Sequence, residues 1–387
     1  MPDLALEGGT VHVSPADEPL RDAVVLIEGS RIAAVAARAD VPVPRSVRTL
    51  DCSGLTVTAG FWNSHVHLFE RKWEDAASLP GDELRRQLED AFTRYGFTSV
   101  FDLSSSFENT RRLRDRIASR EIPGPRILST GEGLVPPGAV PSDAVLGVLG
   151  MTRAPLPEIA DAAQAGASAR KLLDQGVDGV KLFASSPSGT SLAEGAIEAA
   201  AREAHRAGKP VFVHPNTGAD VLAALRGGAD VVAHTTPRSG SWDAAVLAAA
   251  RERGAALTPT LALWRHFLRH DRRSLQDRVL ATAVAQLGEW VAAGAEVLFG
   301  TDLGAVDPDP SPEYELMARG GMGFREVLAA LTTAPADRFA PGQLGRVAAG
   351  YQADLVVLEG DPSADVQALA SVRLVVRGGE VVYEESP

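Results

Sequence analysis

The feature that most constrains the fold is a regular alternation between residues 58 and 340, where short apolar runs alternate with longer stretches of helical period. Many of these stretches end in glycine, as helices commonly do. Eight such units over about 280 residues predict a (β/α)8 TIM barrel of the α/β class. A doubly wound open sheet is the alternative, but no glycine-rich dinucleotide turn follows the first strand. The eight apolar runs are 57–64, 98–103, 126–130, 179–184, 210–214, 230–234, 255–260 and 296–301.

Both ends of the chain lack helical period and show short apolar runs separated by glycine and proline. Gly29-Ser30, for example, lies between two such runs, which is typical of a tight β-hairpin. Neither end is long enough to enclose a core alone. We therefore expect residues 1–57 and 344–387 to form one composite β-sandwich domain, and residues 58–343 to form the barrel domain.

Charge and composition narrow the classes of partner. The net charge of −12 argues against a surface for nucleic acid or for an anionic membrane, so a small-molecule substrate is expected. Cys52 is the one cysteine, which excludes an internal disulfide and a thiolate metal site. The first residues lack the pattern of a signal peptide, and no apolar run reaches the roughly 18 residues of a membrane span. We expect a cytoplasmic protein, and the sequence leaves a homo-oligomer open.

The candidate functional residues follow from the predicted strands. In a (β/α)8 barrel the chemistry lies at the carboxyl ends of the strands. The first strand runs into a His-Val-His triplet, and side chains at i and i+2 lie on one face of a strand. Strands four, five, six and eight add further polar side chains. The six residues are His65, His67, Lys181, His214, His234 and Asp302.

Each of these residues has an ordinary structural interpretation when it is taken alone. His214 or His234 would be a core histidine with satisfied hydrogen bonds, and Asp302 would cap the following helix or turn. Lys181 is harder to explain, because a charged lysine in an apolar strand is costly unless it is paired or modified. Their joint placement at the same ends of the strands favours a metal site.

The residue types restrict the metal chemistry. Neutral imidazoles and a carboxylate suit zinc, and also manganese, iron, cobalt or nickel. Four histidines and one aspartate are too few to hold two ions close together without a bridging ligand. A lysine amine is a poor bridge because it is cationic at neutral pH. Desolvated Lys181 would lose its proton more readily and add CO2, and the resulting carbamate has two oxygens that can span two ions.

A series of motifs covers almost the whole chain. In order, they are E-G-S-R-I-A-A-V, A-G-F-W-N-S-H-V-H, T-S-V-F-D-L, D-G-V-K-L-F-A, H-R-A-G-K-P-V-F-V-H, V-V-A-H-T, F-G-T-D-L-G and G-R-V-A-A-G-Y-Q-A-D-L-V-V-L-E-G-D-P. In their order and spacing the chain resembles the amidohydrolase superfamily, and within it the branch of imidazolonepropionases and metal-dependent prolidases.

This resemblance implies a binuclear centre of two divalent metal ions, with Zn²⁺ as the expected metal. His65 and His67 would bind the more buried ion together with Asp302. His214 and His234 would bind the more exposed ion.

The resemblance also implies the reaction. Carboxylated Lys181 would bridge the two ions alongside a hydroxide, which would attack the scissile carbonyl. Asp302 would be the catalytic residue that takes the proton of the water and passes it to the leaving nitrogen. The substrate would be a small molecule with an amide or peptide-like C–N bond, such as a dipeptide, an N-acyl amino acid or a cyclic amide.

Two alternatives differ in reaction and in class. The same site would serve hydrolysis of an ester, a carbamate or a ring imine, including deamination. Relatives that deaminate usually use one metal and no bridging lysine, so Lys181 speaks against deamination. A non-catalytic scaffold would typically lose ligands, whereas here all six are present.

The chain departs from the family pattern at two places that bear on the site. Asn63 stands where an acidic residue is usual, and the third-strand loop lacks the histidine that often follows its Pro-Pro-Gly. Substrate contacts are expected from the loops after the strands. The candidates are Arg71, Lys72, Arg238 and Trp264, and the basic ones would hold a substrate carboxylate.

Other polar residues are expected to be structural. Asp102 would bond neighbouring backbone. His205 would interact with a helix C-terminus, and His266 and His270 would lie on a solvated helix.

Overall fold

The strands pair into three sheets in the computed structural model, which describes residues 2–139, 156–186 and 189–385. The strands are β1 Leu4–Val11, β2 Leu20–Glu28, β3 Arg31–Ala37, β4 Arg48–Asp51, β5 Leu55–Ala59, β6 Phe61–Val66, β7 Phe97–Asp102, β8 Arg126–Ser129, β9 Val180–Phe183, β10 Val211–His214, β11 Val231–Ala233, β12 Ala256–Thr258, β13 Glu296–Val297, β14 Leu355–Glu359, β15 Val372–Arg377 and β16 Glu380–Glu384. The α-helices are α1 Gly81–Ala91, α2 Phe107–Ala118, α3 Ala162–Gln175, α4 Glu194–Arg206, α5 Gly218–Arg226, α6 Ala244–Arg253, α7 Leu261–Phe267, α8 Arg273–Ala292, α9 Ser311–Arg319, α10 Phe324–Leu331 and α11 Thr333–Phe339.

The largest sheet joins the two ends of the chain. Its order is β16-β15-β14-β5-β1-β2-β3, and β4 pairs with β1. Strand β5 connects the two halves, because it runs parallel to β1 and antiparallel to β14. Apolar side chains from both ends, among them Leu4, Val57 and Leu355, are buried in one cluster against it. The two ends thus share one sheet, while the β-sandwich and the domain boundaries stay predictions.

The apolar run that was expected to form one first barrel strand over 57–64 is divided between two sheets. Residues 58 and 59 end β5 and pair with β14 in the terminal sheet. The chain then leaves that sheet at Gly60, whose N–H donates to the carbonyl of Asp354. Strand β6 begins at Phe61 and pairs with β7 instead. The prediction of a single strand is wrong because periodicity alone does not show that a buried run changes partners.

Eight parallel strands carry the candidate site, in two sheets. Strands β6, β7 and β8 form one, and β9 to β13 form the other in chain order. Between the two sheets the described chain has isolated parallel bridges, Val66 to Leu303 and Leu134 to Leu182. A ladder requires successive bonds along both strands, so these bridges do not merge the sheets. The architecture is mixed α/β with parallel sheets, and the expected closed TIM barrel is not shown.

Helix α1 is amphipathic and buries one face. In α1 the buried residues are Leu84, Leu88 and Ala91, which recur at the spacing of one helical face. Arg273–Ala292, the longest of the described helices, exposes Arg273, Asp277 and Arg278 in its first turns. In the described ranges, no helix has both the length and the apolar character that are needed to cross a membrane.

Candidate metal centre

Three of the predicted ligands converge on one point. The ligand atoms of His65, His67 and Asp302 all lie within 4.8 Å of one another, and all three residues are buried. Asp302 Oδ1 lies 3.2 Å from His65 Nε2 and 2.8 Å from His67 Nε2. Neither Asp302 Oδ1 nor His65 Nε2 makes a hydrogen bond within the described chain. Close donor atoms without hydrogen bonds are the arrangement expected of ligands that face a shared cation.

Backbone hydrogen bonds hold these ligands in place. The N–H of Asp302 donates to the carbonyl of His65 at 2.9 Å, and the N–H of His67 donates to the carbonyl of Leu303 at 2.7 Å. The backbone before Asp302 can approach His65 this closely because Gly300 has no side chain. A Cβ at Gly300 would lie 2.8 Å from the Cβ of His65. Asp302 itself has a φ of 63°, in the left-handed region that costs a non-glycine residue about 1 kcal/mol or more. Strained residues of this kind often mark functional sites.

Asn63 is part of the same connection. Its side-chain carbonyl accepts from the N–H of Thr301 at 3.1 Å and from the N–H of His65 at 3.3 Å, and its amide donates to Thr301 Oγ1 at 2.7 Å. It therefore ties β6 to the residue before Asp302. The departure from the usual acidic residue is accommodated here, because every polar atom of the Asn63 side chain has a partner.

The other predicted ligands surround this triad. Lys181 lies on β9, which pairs with β10, and β10 pairs with β11. The ring of His234 lies 4.6 Å from that of His65 and 4.7 Å from that of His214, measured between centroids. Lys181 is fully buried, and its Nζ has no hydrogen-bond partner among the described residues. Lys181 Nζ lies 5.3 Å from the centroid of the Phe183 ring.

Burial sets the protonation of these groups. It lowers the pKa of His65 to about 3 and that of His214 to about 3, and it holds the pKa of His234 well below its ordinary value. Neutral imidazole is the form that binds metal. Burial also lowers the pKa of Lys181 to about 7, so its amine loses its proton far more readily than a surface lysine does.

Two threonines contact the histidines. Thr260 Oγ1 lies 2.7 Å from His234 Nδ1, and Thr258 Oγ1 lies 3.5 Å from His65 Nδ1. Neither threonine is among the residues predicted from the sequence. The signal that would have found them is the T-P-T at the end of the seventh apolar run.

The site opens into a cavity of about 1260 Å³. Its wall includes Arg238 and Trp264, two of the predicted substrate contacts. Trp264 is held by a hydrogen bond from its Nε1 to Thr235 Oγ1 at 2.9 Å. The other two candidates, Arg71 and Lys72, are exposed and lie outside the cavity wall. The third-strand loop is described only up to residue 139 and from residue 156 onward.

Of the residues expected to be structural, Asp102, His205 and His266 lie in packed or paired positions, whereas His270 is exposed in the turn after α7 and not on a helix. Asp102 accepts hydrogen bonds from the N–H of Leu68, from Thr110 Oγ1 and from Ser129 Oγ at 2.9 to 3.0 Å. Asp102 therefore bonds neighbouring backbone as expected. It also accepts hydrogen bonds from three hydroxyls, those of Thr110, Ser129 and Ser105.

Two other histidines lie close to carboxylates outside the cavity wall. His205 lies 2.8 Å from Asp230, and His266 lies 3.6 Å from Asp307.

Comparison with known proteins decides the family. A family model described as the amidohydrolase family matches residues 56–382. The chain belongs to the amidohydrolase family. Its members act as hydrolases, and the catalogued relatives of this amidohydrolase cleave amide bonds. The ochratoxinase of Aspergillus niger is 26% identical in an alignment of 414 positions, gaps included, which covers 95% of this chain and 84% of that protein.

Solved structures resemble this amidohydrolase over nearly its whole length. A prolidase complexed with N-methylphosphonate-L-proline is 27% identical, with a TM-score of 0.79 over 99% of this chain and 100% of the other. A Xaa-Pro dipeptidase with methionine bound in its active site has a TM-score of 0.83 over 99% and 100% of the two chains. The dipeptidase is 20% identical, so it shows the fold alone.

Proposed function

We propose that this amidohydrolase is a binuclear metal-dependent enzyme that cleaves an amide or peptide-like C–N bond of a small molecule. One observation carries the proposal. Lys181 Nζ, His65 Nε2, His214 Nε2 and Asp302 Oδ1 are all buried and have no hydrogen-bond partner among the described residues. Buried polar atoms without partners are costly, and four in one place fit a site whose ligand satisfies them together.

The donor set suggests how two ions would be held. His65, His67 and Asp302 would hold one ion, as their mutual distances support. His214 and His234 would hold the other. When bound, two such ions supply Lewis-acid activation of water and polarisation of the carbonyl, and zinc fits these nitrogen and oxygen donors.

Lys181 is proposed to join the two halves of the site as a carbamate. Its amine is fully buried on β9 without a polar partner in the described chain, a position that an ammonium group occupies at high cost. A carbamate would replace the cation with two oxygens directed at the same cavity. Asp302 is proposed to take a proton from the attacking water and to pass it to the leaving nitrogen.

We also infer that the two parallel sheets are arcs of one (β/α)8 barrel. Both seams between them carry parallel bridges, and backbone bonds at 2.8 and 2.9 Å cross them, from Ser64 to Phe299 and from Leu134 to Lys181. All the candidate ligands except His65 line one cavity. In this arrangement residues 58–343 would be the catalytic domain, and the terminal strands the second domain.

The experiment that tests the function combines two measurements on zinc-reconstituted protein. Metal content is counted by elemental mass spectrometry, and hydrolysis is screened with dipeptides, N-acyl amino acids, lactams and esters. Two ions per chain with cleavage of an amide class are expected. One ion per chain with release of ammonia would favour the deaminating alternative, and esterase activity alone would favour ester hydrolysis. Protein that binds no metal after reconstitution would revive the non-catalytic scaffold.

The charge of the cavity restricts where a substrate carboxylate can lie. Among the described residues Arg238 is the one arginine in the wall. Outside the proposed ion sites carboxylates prevail in the rest of the wall, so a substrate carboxylate would be repelled there and attracted to Arg238. Besides Asp302, the acidic wall residues are Glu70, Glu74, Asp75, Glu132, Asp220 and Asp271.

Arg238→Ala should therefore raise KM for substrates that carry a carboxylate. The expected loss is about 1.4 kcal/mol, a roughly tenfold rise, because one charged hydrogen bond is removed. The measurement compares an amide that bears a carboxylate with the corresponding primary amide, whose KM should change little. Arg71→Ala is the matched control, since Arg71 lies outside the wall. Equal effects on both substrates would exclude Arg238 as the carboxylate contact.

A further inference from the structure

We infer that a buried chain of contacts sets the metal affinity of the ion site formed by His214 and His234. It runs from Glu313 to the backbone that follows Thr260, and from the Thr260 hydroxyl to His234. The inference rests on the proposed binuclear function and adds a pair of positioning residues to it. Neither Thr260 nor Glu313 is among the site residues that the sequence predicts. Both are fully buried.

The hydroxyl of Thr260 determines which nitrogen of His234 is free. Thr260 Oγ1 donates to the carbonyl of Pro259 at 2.9 Å. With its single proton directed there, the oxygen can accept from His234 Nδ1 across the 2.7 Å contact, and we assign the tautomer of His234 on this basis. His234 then carries its proton on Nδ1, and its Nε2 lone pair is available to a metal. A hydrogen bond to the second ring nitrogen is how proteins orient a ligating histidine and fix its tautomer.

The backbone of Thr260 needs support in this position. Its φ is 44°, in the left-handed region that is unfavourable for a β-branched residue. His234 also has a positive φ, of 82°. Two strained residues in hydrogen-bond contact will keep this geometry only if their surroundings hold them.

Glu313 supplies that support from another helix. Its carboxylate accepts from the N–H of Leu261 at 2.9 Å and from the N–H of Ala262 at 2.7 Å. These are the two residues that follow Thr260, and the bonds connect positions 52 and 51 apart in sequence. A buried carboxylate that binds two successive amides fixes the direction in which the chain leaves Thr260. Losing it would leave both amides without an acceptor.

The corresponding contact at the other ion site is weaker. Thr258 Oγ1 lies 3.5 Å from His65 Nδ1 and 3.4 Å from the carbonyl of Val232. Pro259, the residue after Thr258, has no N–H that a carboxylate could bind. The two sites therefore differ in support, and loss of the Thr260 hydroxyl should affect one ion only.

The test measures metal affinity of the full-length protein, by zinc titration with elemental counting and by the visible spectrum of the cobalt-loaded form. Thr260→Val should weaken one of two ions by about 10- to 100-fold, whereas Thr260→Ser should bind both ions like wild type because it keeps the hydroxyl. Thr258→Val is the matched control, with little change expected. Glu313→Gln should weaken the same ion, and adding it to Thr260→Val should have less than the additive effect.

Background variants identify which ion is affected. In His234→Ala protein, Thr260→Val should have no further effect on metal binding, whereas in His65→Ala protein it should weaken the ion that remains. Unchanged affinity of both ions in Thr260→Val would overturn the inference, as would equal losses in Thr260→Ser. Wild-type protein that binds fewer than two ions would instead refute the binuclear proposal, so the two failures are distinguishable. If Glu313→Gln fails to fold, the pair Thr260→Val and Thr260→Ser still decides.

Discussion

Lys181→Ala protein is expected to hold fewer than two ions per chain and to lose nearly all hydrolytic activity. The reason is that Lys181 is the one residue proposed to contact both ions, and its buried amine has no other partner in the described chain. A loss of about 4 kcal/mol of transition-state stabilisation corresponds to a roughly 10³-fold lower kcat/KM. Elemental counting and steady-state kinetics on the same preparation measure the two effects.

Matched variants of Lys181 separate the effect of losing the amine from the effect of losing side-chain volume. Lys181→Met keeps a long side chain without the amine, so it should lose the second ion as Lys181→Ala does while leaving a smaller cavity. Lys171→Ala removes an exposed lysine on α3 and should retain both ions and activity. Added acetate or formate should partly restore Lys181→Ala, because a small carboxylate can occupy the place of the carbamate. Two ions and full activity in Lys181→Ala would show that the bridge is wrong.

Asp302→Asn is expected to lower kcat by about 10²- to 10⁴-fold, the range for loss of a general acid or base. The substitution preserves shape but removes the carboxylate that lies within 3.2 Å of both His65 Nε2 and His67 Nε2. It should therefore also weaken the ion at these two histidines. Kinetics at increasing zinc concentration separate the effects, because saturating metal should restore occupancy but leave kcat low.

Asp307→Asn is the control for this prediction. Asp307 lies a few residues beyond Asp302, and its side chain is 87% exposed. The substitution removes the same charge from the chain and should leave kcat and metal content unchanged. If Asp302→Asn protein reached the wild-type kcat once its metal was restored, Asp302 would be a ligand without a role in proton transfer.

The candidate ligands could be predicted from the sequence because each lies within an apolar run or just beyond its end. Side chains at the carboxyl ends of parallel strands meet at one edge of a sheet. The structure brings His65, His67 and Asp302 within 4.8 Å, and it places Lys181 and His214 on the same cavity. Their roles as ligands stay proposals.

The sequence predicts strand pairing and the positions of loop side chains less well. The first apolar run is divided at Gly60 between two sheets, and a closed barrel is not shown. Of the four substrate candidates, Arg238 and Trp264 line the cavity, whereas Arg71 and Lys72 do not. Loop direction depends on a few backbone angles, and residue type constrains those angles only weakly.

The sequence by itself indicated the family, the class of reaction and the set of candidate metal ligands, because motif order and strand-end position are local properties of the chain. Only the tertiary structure decided how that set is supported. Asn63 meets Thr301 across 238 residues, and Glu313 meets Leu261 across 52. Thr260 reaches His234 only through a left-handed backbone conformation. Such contacts form when separate strands and helices pack together, and no periodicity or spacing in the chain specifies them.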